Sequence, residues 1–342
     1  MKFYISIDYT DKESRTALPL LIKFLKGKKV AFEIEKNDHK NSVAKSRNAD
    51  MIIAFGSSFN ILRTFRKNPQ SDKPVLGVSV YGNEFLPEIK LEEFEEFFER
   101  ITNGEYNTEK RNRIELMIDN KPFPPVLNEV VIAAKKSAST IIYSLYIDKK
   151  QMFKDEGDGI IISTPTGSTG YSASSGGPIV LQGSNVIALT PLSSMQQNKP
   201  MIVSDESEIT IKNANSDGEI EIICDGRFRY PFKGKELTIK KYEIPARFVT
   251  INEIKKNPLE KLKSRGALKL IDLEKAPPSA KFIVKLLQYE GPLTQKDIIA
   301  ISSLQIRTVR HGITYLKNKG LIEEQKSLRD ARLSIYKLKN YQ

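Results

Sequence analysis

The chain holds little that could build a metal or redox centre. Cys224 is its single cysteine, and His39 and His311 are its two histidines. A lone cysteine excludes an internal disulfide framework and any multi-cysteine zinc site. Two widely separated histidines do not make a histidine-rich metal site, so no metal is expected. No run approaches the roughly 18 uninterrupted apolar residues of a membrane-crossing helix. The opening MKFYISIDYT lacks the basic start, apolar core and small-residue cleavage site of a secretory leader. The expectation is a soluble, cytoplasmic protein with no membrane partner.

What the chain has is positive charge. Its 54 Lys and Arg against 42 Asp and Glu give +12 over 342 residues. Residues 275–342 carry 13 basic and 5 acidic residues, so +8 of the excess sits in the last fifth of the sequence. A basic balance predicts a polyanionic partner and says nothing about fold. With 39% hydrophobic residues, this length is enough for two or three domains with buried cores.

Residues 1–112 alternate strand and helix. FYISI, KVAFEIE, ADMIIAFG and PVLGVSV read as strands. Thr16–Leu25 and LEEFEEFFERI read as helices, with Pro19 acceptable only in a first turn. Such alternation predicts an α/β domain on a mainly parallel sheet. Residues 113–265 change to short strand-like runs, among them VVIAAKK, STIIYSLYID, GIIIST, NVIALTP, SEITIKN, GEIEIIC and ELTIKK. They predict a β-rich domain. A charged linker over 266–278 ends in two prolines, and residues 279–342 form a small α+β module.

In that module Val309, Ile313 and Leu316 make an apolar stripe at helical spacing. Arg307, Thr308, Arg310, His311, Thr314 and Lys317 fall mostly off it. Thr294 is placed to cap the preceding helix. A basic hairpin with Lys326, Arg329 and Arg332 follows. The string LTQKDIIAISSLQIRTVRHGITYLKNKGLIEE resembles the winged helix-turn-helix domain of prokaryotic transcription regulators. That resemblance implies duplex DNA as a partner, with these nine residues at the interface and a homodimer or homotetramer to match paired half-sites.

The stretch EGDGIIISTPTGSTGYSASSGGPIV (Glu156–Val180) runs from a buried strand into glycines and hydroxyls, a composition suited to an anion or ribose. It contains neither the G-x-x-x-x-G-K-[ST] nor the G-x-G-x-x-G string. GDG-III-STPTGSTGYS followed by GGP resembles the central signature of the NAD kinase family. LNEVVI, VLGVSV, ITNGEYNTEKRNRIEL and ICDGR add to the resemblance in the family's order, over roughly residues 1–265. It implies an N-terminal α/β domain and a β-rich domain with NAD or NADP bound between them. Asn128 and Glu129 match the family's Asn-Glu motif, and Asp158 the aspartate on the nicotinamide side. Thr166, Thr169, Gly170, Tyr171 and Ser174 match residues around the adenosine half. Phe85 matches an aromatic near the adenine, although Glu84 replaces the glycine that precedes it in the family.

One motif departs. The family's Gly-Gly-Asp-Gly-Thr corresponds here to Gly56, Ser57, Ser58, Phe59 and Asn60. The aspartate that the family uses on the adenosine 2′-hydroxyl is thus Ser58, and a serine hydroxyl is no general base near neutrality. Glu84 is a candidate stand-in. The expectation from this departure is a catalytically degraded NAD kinase fold: a DNA-binding regulator sensing NAD(P)(H) or a related adenine nucleotide, and not an enzyme. The alternative is an active ATP-dependent NAD kinase, using Mg²⁺, with an accessory C-terminal module.

Overall fold

The computed structural model describes residues 1–36, 46–81, 84–136, 139–251, 277–290, 293–302, 304–319, 321–326 and 334–338. The chain separates into two units, residues 1–261 and 262–342.

The first unit opens with β1 (Lys2–Ile7), α1 (Lys12–Gly27), β2 (Ala31–Ile34), β3 (Met51–Gly56), α2 (Ser58–Lys67), β4 (Val75–Ser79), β5 (Ile89–Lys90) and α3 (Phe94–Thr102). The parallel order is β2-β1-β3-β4. Alternate side chains of these strands serve two faces. Phe3, Ile5, Ile7, Met51 and Ile53 pack against Leu18, Leu21 and Leu25 of α1 and Phe94, Phe98 and Ile101 of α3. Tyr4, Ile52 and Ala54 pack against Ile61, Leu62 and Phe65 of α2. Helix α1 starts earlier than its apolar spacing predicts, at Lys12, so Pro19 lies inside it. Pro19 is on the exposed side, where the carbonyl that loses its N–H partner can be met by water. Glu35, buried just past β2, accepts hydrogen bonds from Arg63 (2.7 Å) and Lys67 (2.7 Å) and so ties α2 to the sheet. Burial pushes its pKa up, but these cationic donors outweigh that and hold it below the usual glutamate value.

The chain continues through β6 (Asn107–Ile118), β7 (Lys121–Val126), β8 (Glu129–Ala134), β9 (Ile141–Ile147), β10 (Lys150–Gly157), β11 (Gly159–Ser163), a single turn α4 (Tyr171–Ser174), β12 (Val186–Leu192), β13 (Met201–Ser204), β14 (Ile209–Asn215), β15 (Ile220–Cys224), β16 (Phe228–Phe232) and β17 (Glu236–Thr250). One antiparallel sheet has the order β13-β12-β11-β8-β15-β16. The 15-residue β17 pairs with β6 along its length and joins β4 in parallel at Phe248 and Val75, so a strand from the β-rich part completes the N-terminal sheet. Ile132, Ile160, Ile162, Leu189 and Ile222 from the six-stranded sheet meet Tyr143, Leu145, Ile209, Ile211, Leu237 and Ile239 from the larger one in a single core.

Arg113 is buried where α2, β6 and β17 converge. Its guanidinium donates to the carbonyls of Ile244 (2.6 Å) and Pro69 (2.8 Å) and lies 4.9 Å from the Tyr242 ring centroid. Burial lowers its pKa to about 10, so it remains charged at neutral pH. Arg113→Ala would strip buried carbonyls of their donors and leave a cavity. It should lower the unfolding free energy by about 3 kcal/mol in denaturant titrations.

The second unit comprises α5 (Pro278–Glu290), β18 (Leu293–Thr294), α6 (Gln295–Ser302), α7 (Ile306–Asn318), β19 (Ile322–Lys326) and β20 (Ser334–Leu338). Its strands pair antiparallel in the order β18-β20-β19. Val309, Ile313 and Leu316 of α7 pack with Ile283, Val284 and Leu287 of α5, as their spacing predicts. Thr294 caps α6 reciprocally. Its hydroxyl accepts the Asp297 N–H (3.2 Å), and its own N–H donates to the Asp297 carboxylate (2.9 Å). Residues 266–276 of the expected linker, and Arg329 and Arg332, lie outside the described residues. Among the described residues no helix is long and apolar enough to cross a membrane.

Candidate nucleotide site

In the order β2-β1-β3-β4 the chain reverses direction of travel between β1 and β3, and open α/β sheets bind ligands beyond the carboxyl ends of strands at such a point. Gly56 ends β3 with φ +123°, and a Cβ there would fall 2.1 Å from the Ser14 hydroxyl oxygen. The position therefore requires glycine twice over, for its backbone and for its neighbour. Ser14 donates to Asp11 (2.5 Å), which also accepts from the Tyr81 hydroxyl. Burial pushes the Asp11 pKa up, but the bonds from Ser14 and Tyr81 outweigh it and leave the carboxyl below its ordinary value. Burial and then the Asp11 hydrogen bond raise the Tyr81 hydroxyl.

Ser58 opens α2. Its N–H donates to the Glu84 carboxylate, and its hydroxyl accepts from the Leu86 N–H (3.3 Å). Phe85 is half-buried against the core beneath α2. Phe59 stands where the resemblance places a glycine, yet its ring lies against Phe228 (5.5 Å between centroids) with the Arg227 guanidinium 4.4 Å above it. The large side chain is thus absorbed by the turn between β15 and β16.

That same turn organises the Asn-Glu segment. Asp225 and Gly226 have positive φ, of 50° and 70°, as an Asp-Gly pair in a tight hairpin does. Oδ1 of Asp225 accepts the N–H groups of Leu127 (3.1 Å) and Asn128 (2.7 Å), and the Asp225 N–H donates to the Glu129 carbonyl (3.0 Å). On the other side Thr164 donates through its hydroxyl to Leu127 O (2.6 Å) and through its N–H to Asn128 O (2.9 Å). Glu129 is 5% exposed. The resemblance includes ICDGR and implies no ligand role for Asp225. The signal available was an Asp-Gly pair between two apolar alternations. Burial raises its pKa to about 6 against the opposing pull of the Asn128 N–H and Arg66. Arg66 itself donates to Pro124 O (3.2 Å) and to the Tyr230 hydroxyl, and no sequence motif marked it.

The hydroxyl-rich stretch is a short 3-10 turn, Gly167–Thr169, followed by the single turn of α4. Part of its hydrogen bonding is internal. Ser168 is fully buried, donates to Pro165 O (2.8 Å) and accepts from the Val180 N–H (3.0 Å), and Thr166 donates to Gln182 (3.3 Å). Ser174 donates back to Gly170 O (3.3 Å), while Tyr171 is 49% exposed. Asp158 is exposed at the junction of β10 and β11 and accepts from the Ser193 hydroxyl (2.5 Å). Asn128 is thus bonded directly to Thr164 at the head of the 164–174 segment and to the Asp225 turn, and that turn reaches α2 beside Ser58. Cys224, buried with its thiol pushed up to about 12 by desolvation, offers no nucleophile. Among the described residues no cluster of three or more His, Cys, Asp or Glu could hold a metal ion.

Comparison with known proteins addresses this arrangement. The family described as the ATP-NAD kinase C-terminal domain matches residues 127–251. The NAD kinase of Thermoplasma volcanium is 34% identical over 209 residues, covering 60% of this chain and 75% of the relative. The NAD kinase of Chlorobium phaeobacteroides is 31% identical over 256 residues, covering 71% and 89%. An NAD kinase from Archaeoglobus fulgidus, solved in complex with ATP, superposes with a TM-score of 0.64 at 25% identity, covering 77% of this chain and 99% of that one. Yeast NADH kinase complexed with NADH shares the fold, with a TM-score of 0.67 at 20% identity over 81% and 89%.

These relatives bear the names of enzymes. That overturns the expectation of a non-enzymatic, catalytically degraded nucleotide sensor regulating transcription, and with it the assignment of duplex DNA as partner. Arg307, Arg310, His311, Thr314 and Lys317 are exposed on α7 and Thr308 is half-buried. Lys317 is paired with Glu324, so this face is in part an ordinary solvated surface with its own counter-charge. Lys326 closes β19, and Arg329 and Arg332 are not among the described residues. The expected homodimer or homotetramer rested on paired DNA half-sites and loses that support. Net positive charge named a class of partner too broadly, since charge is a property of surface and not of site. Identity of 34% reaching across three quarters of a relative, on one fold with separated motifs drawn to one place, leaves one assignment: the chain belongs to the NAD kinase family.

Proposed function

We propose that this protein catalyses ATP-dependent phosphorylation of NAD⁺ to NADP⁺, with ATP entering as its Mg²⁺ complex. The supporting observation is the junction at Asn128. The Asn128–Glu129 segment is fixed by Asp225 on one side and by Thr164 on the other, next to the Thr166–Ser174 stretch. Asn128 and Glu129 would lie beside the dinucleotide, with Asp158 at its nicotinamide-side ribose or amide. Thr166, Thr169, Gly170, Tyr171 and Ser174 would surround the adenosine, with Phe85 near the base. Gly56, a position its φ and Ser14 reserve for glycine, turns the chain from β3 into the head of α2, which would face the phosphates.

The string from Gly56 to Asn60 is then a rearranged form of the family's Gly-Gly-Asp-Gly segment rather than a dead one. The described elements α5 to α7 with β19 and β20 are read in this proposal as a winged helix-turn-helix, α6 and α7 being the helix pair and the paired strands β19 and β20 belonging to the wing. Phosphoryl transfer needs an acceptor hydroxyl in line with the γ-phosphate and stabilisation of the charge spread over its oxygens.

The test is direct. The purified full chain, given ATP, Mg²⁺ and NAD⁺, should form NADP⁺ at about 1–100 s⁻¹, the usual range for such transfers. A coupled NADP-specific dehydrogenase reads the product. NADP⁺ no higher than in an ATP-free control would sink the proposal.

A further inference from the structure

The resemblance places a carboxylate at the head of α2 to take the proton of the acceptor hydroxyl, and Ser58 does not provide one. The loops beyond the carboxyl ends of β1, β3 and β4 contain four candidates: Asp8, Asp11, Glu84 and Glu88, the last of which accepts the Ile251 N–H (2.9 Å). Asp8 is held by the N–H (3.0 Å) and hydroxyl (2.7 Å) of Thr10. Asp11 is held by Ser14 and Tyr81. Glu84 is half-exposed and, among the described residues, takes one hydrogen bond, from the backbone N–H of Ser58. Ser58 in turn accepts the Leu86 N–H at its hydroxyl (3.3 Å). The two bonds run in opposite directions between the first residue of α2 and the segment 84–86. They hold a carboxylate from one loop at the helix residue where the carboxylate of another is missing.

We propose that Glu84 is the catalytic carboxylate of this kinase and that Ser58 is its positioning residue. The proposal rests on the NAD kinase activity proposed above. In the step itself, Glu84 accepts the proton of the adenosine 2′-hydroxyl of NAD⁺ as the 2′-oxygen bonds to the γ-phosphorus of ATP. The bond from that phosphorus to the β–γ bridging oxygen breaks, and its electron pair leaves with ADP. The carboxyl then returns its proton to water. Two hydrogen bonds at one serine make the relocation economical: its backbone N–H donates to the carboxylate, and its hydroxyl accepts the N–H two residues beyond it.

Glu84→Gln separates chemistry from scaffolding, because the amide oxygen can still accept the Ser58 N–H while the group can no longer take a proton. Its kcat should fall by about 10²–10⁴ with KM for NAD⁺ within about threefold of wild type. Adding Ser58→Asp returns a carboxylate to the head of α2, with an oxygen still able to accept the Leu86 N–H. The double variant should recover at least about tenfold of the lost kcat. Glu84→Asp, read in parallel, keeps a carboxylate and should exceed Glu84→Gln by a similar factor. If Glu84→Gln retains kcat within about threefold, or if neither carboxylate-bearing variant exceeds it, Glu84 is not the base and the kinase assignment stands. A wild-type chain that forms no NADP⁺ overturns both.

Discussion

Gly167→Ala should reduce kcat/KM for NAD⁺ by about 100-fold or more, and lower stability by about 1–3 kcal/mol. The reason is local and severe. A Cβ at residue 167 would lie 2.2 Å from the carbonyl oxygen of Asn128, 2.5 Å from its carbonyl carbon and 2.9 Å from its Cα. All three are backbone atoms, which cannot rotate away as the end of a flexible side chain would. The Asn128 segment also cannot retreat freely, because Asp225 and Thr164 hold it from both sides. Either the 164–169 turn or the Asn128–Glu129 segment must move. Displacement of a substrate-positioning group by about 1 Å can cost about 10²-fold in rate. Steady-state kinetics with a parallel melting curve checks this. Kinetics within about threefold of wild type would show that the close approach has no part in catalysis.

The second large effect belongs to Asp225. Asp225→Ala removes the acceptor of two backbone N–H groups, those of Leu127 and Asn128. Each buried donor left without a partner costs about 1–3 kcal/mol. The variant should therefore lose several kcal/mol and release the Asn128 segment. Asp225→Asn keeps an acceptor at Oδ1 and isolates the charge. Burial raises the pKa of Asp225 from 3.8 to about 6, partly opposed by the Asn128 N–H and Arg66. Between these values the folded chain holds a proton that the unfolded chain has released. Stability contributed by this group is therefore greatest below pH 4, falls as pH rises to about 6, and is constant above. Denaturant titrations of wild type and Asp225→Asn from pH 4 to 8 should show wild type losing ground over that interval, by on the order of 3 kcal/mol. A difference that is flat, or that grows with pH, would mean Asp225 is ionised at no cost. Glu35 has the opposite sign, with a lowered pKa, so its contribution is lost as pH falls. The comparison of two variants cancels it.

Much of the first unit was legible in the sequence. FYISI, MIIAFG and VLGVS are short apolar runs that can only be buried strands, and Leu18, Leu21 and Leu25 recur at helical spacing. Pairing was harder. Nothing in ELTIKKYEIPARFVT shows that its far end will join β4 in parallel after pairing with β6, because strand partners are chosen by tertiary contacts and not by local pattern. Phe59 misled for a similar reason. Read along the chain it is bulk at a glycine position, but in space it is the partner of Arg227 and Phe228, 168 and 169 residues away. The serine at position 58 misled most, since a chain can lose a carboxylate from one loop while another loop brings one to the same helix end.

The sequence by itself determined the alternation of strand and helix, the β-rich second part, the apolar stripe of α7 and the separate motifs that mark kinship. These are carried by residue type and local spacing, which need no fold to be read. Tertiary structure alone decided that Asp225 anchors Asn128, that Phe59 packs into the β15–β16 turn, and that Glu84 sits on Ser58. Each joins residues from 26 to 169 positions apart, and such contacts depend on which strands pair and which loops end on the same edge of the sheet.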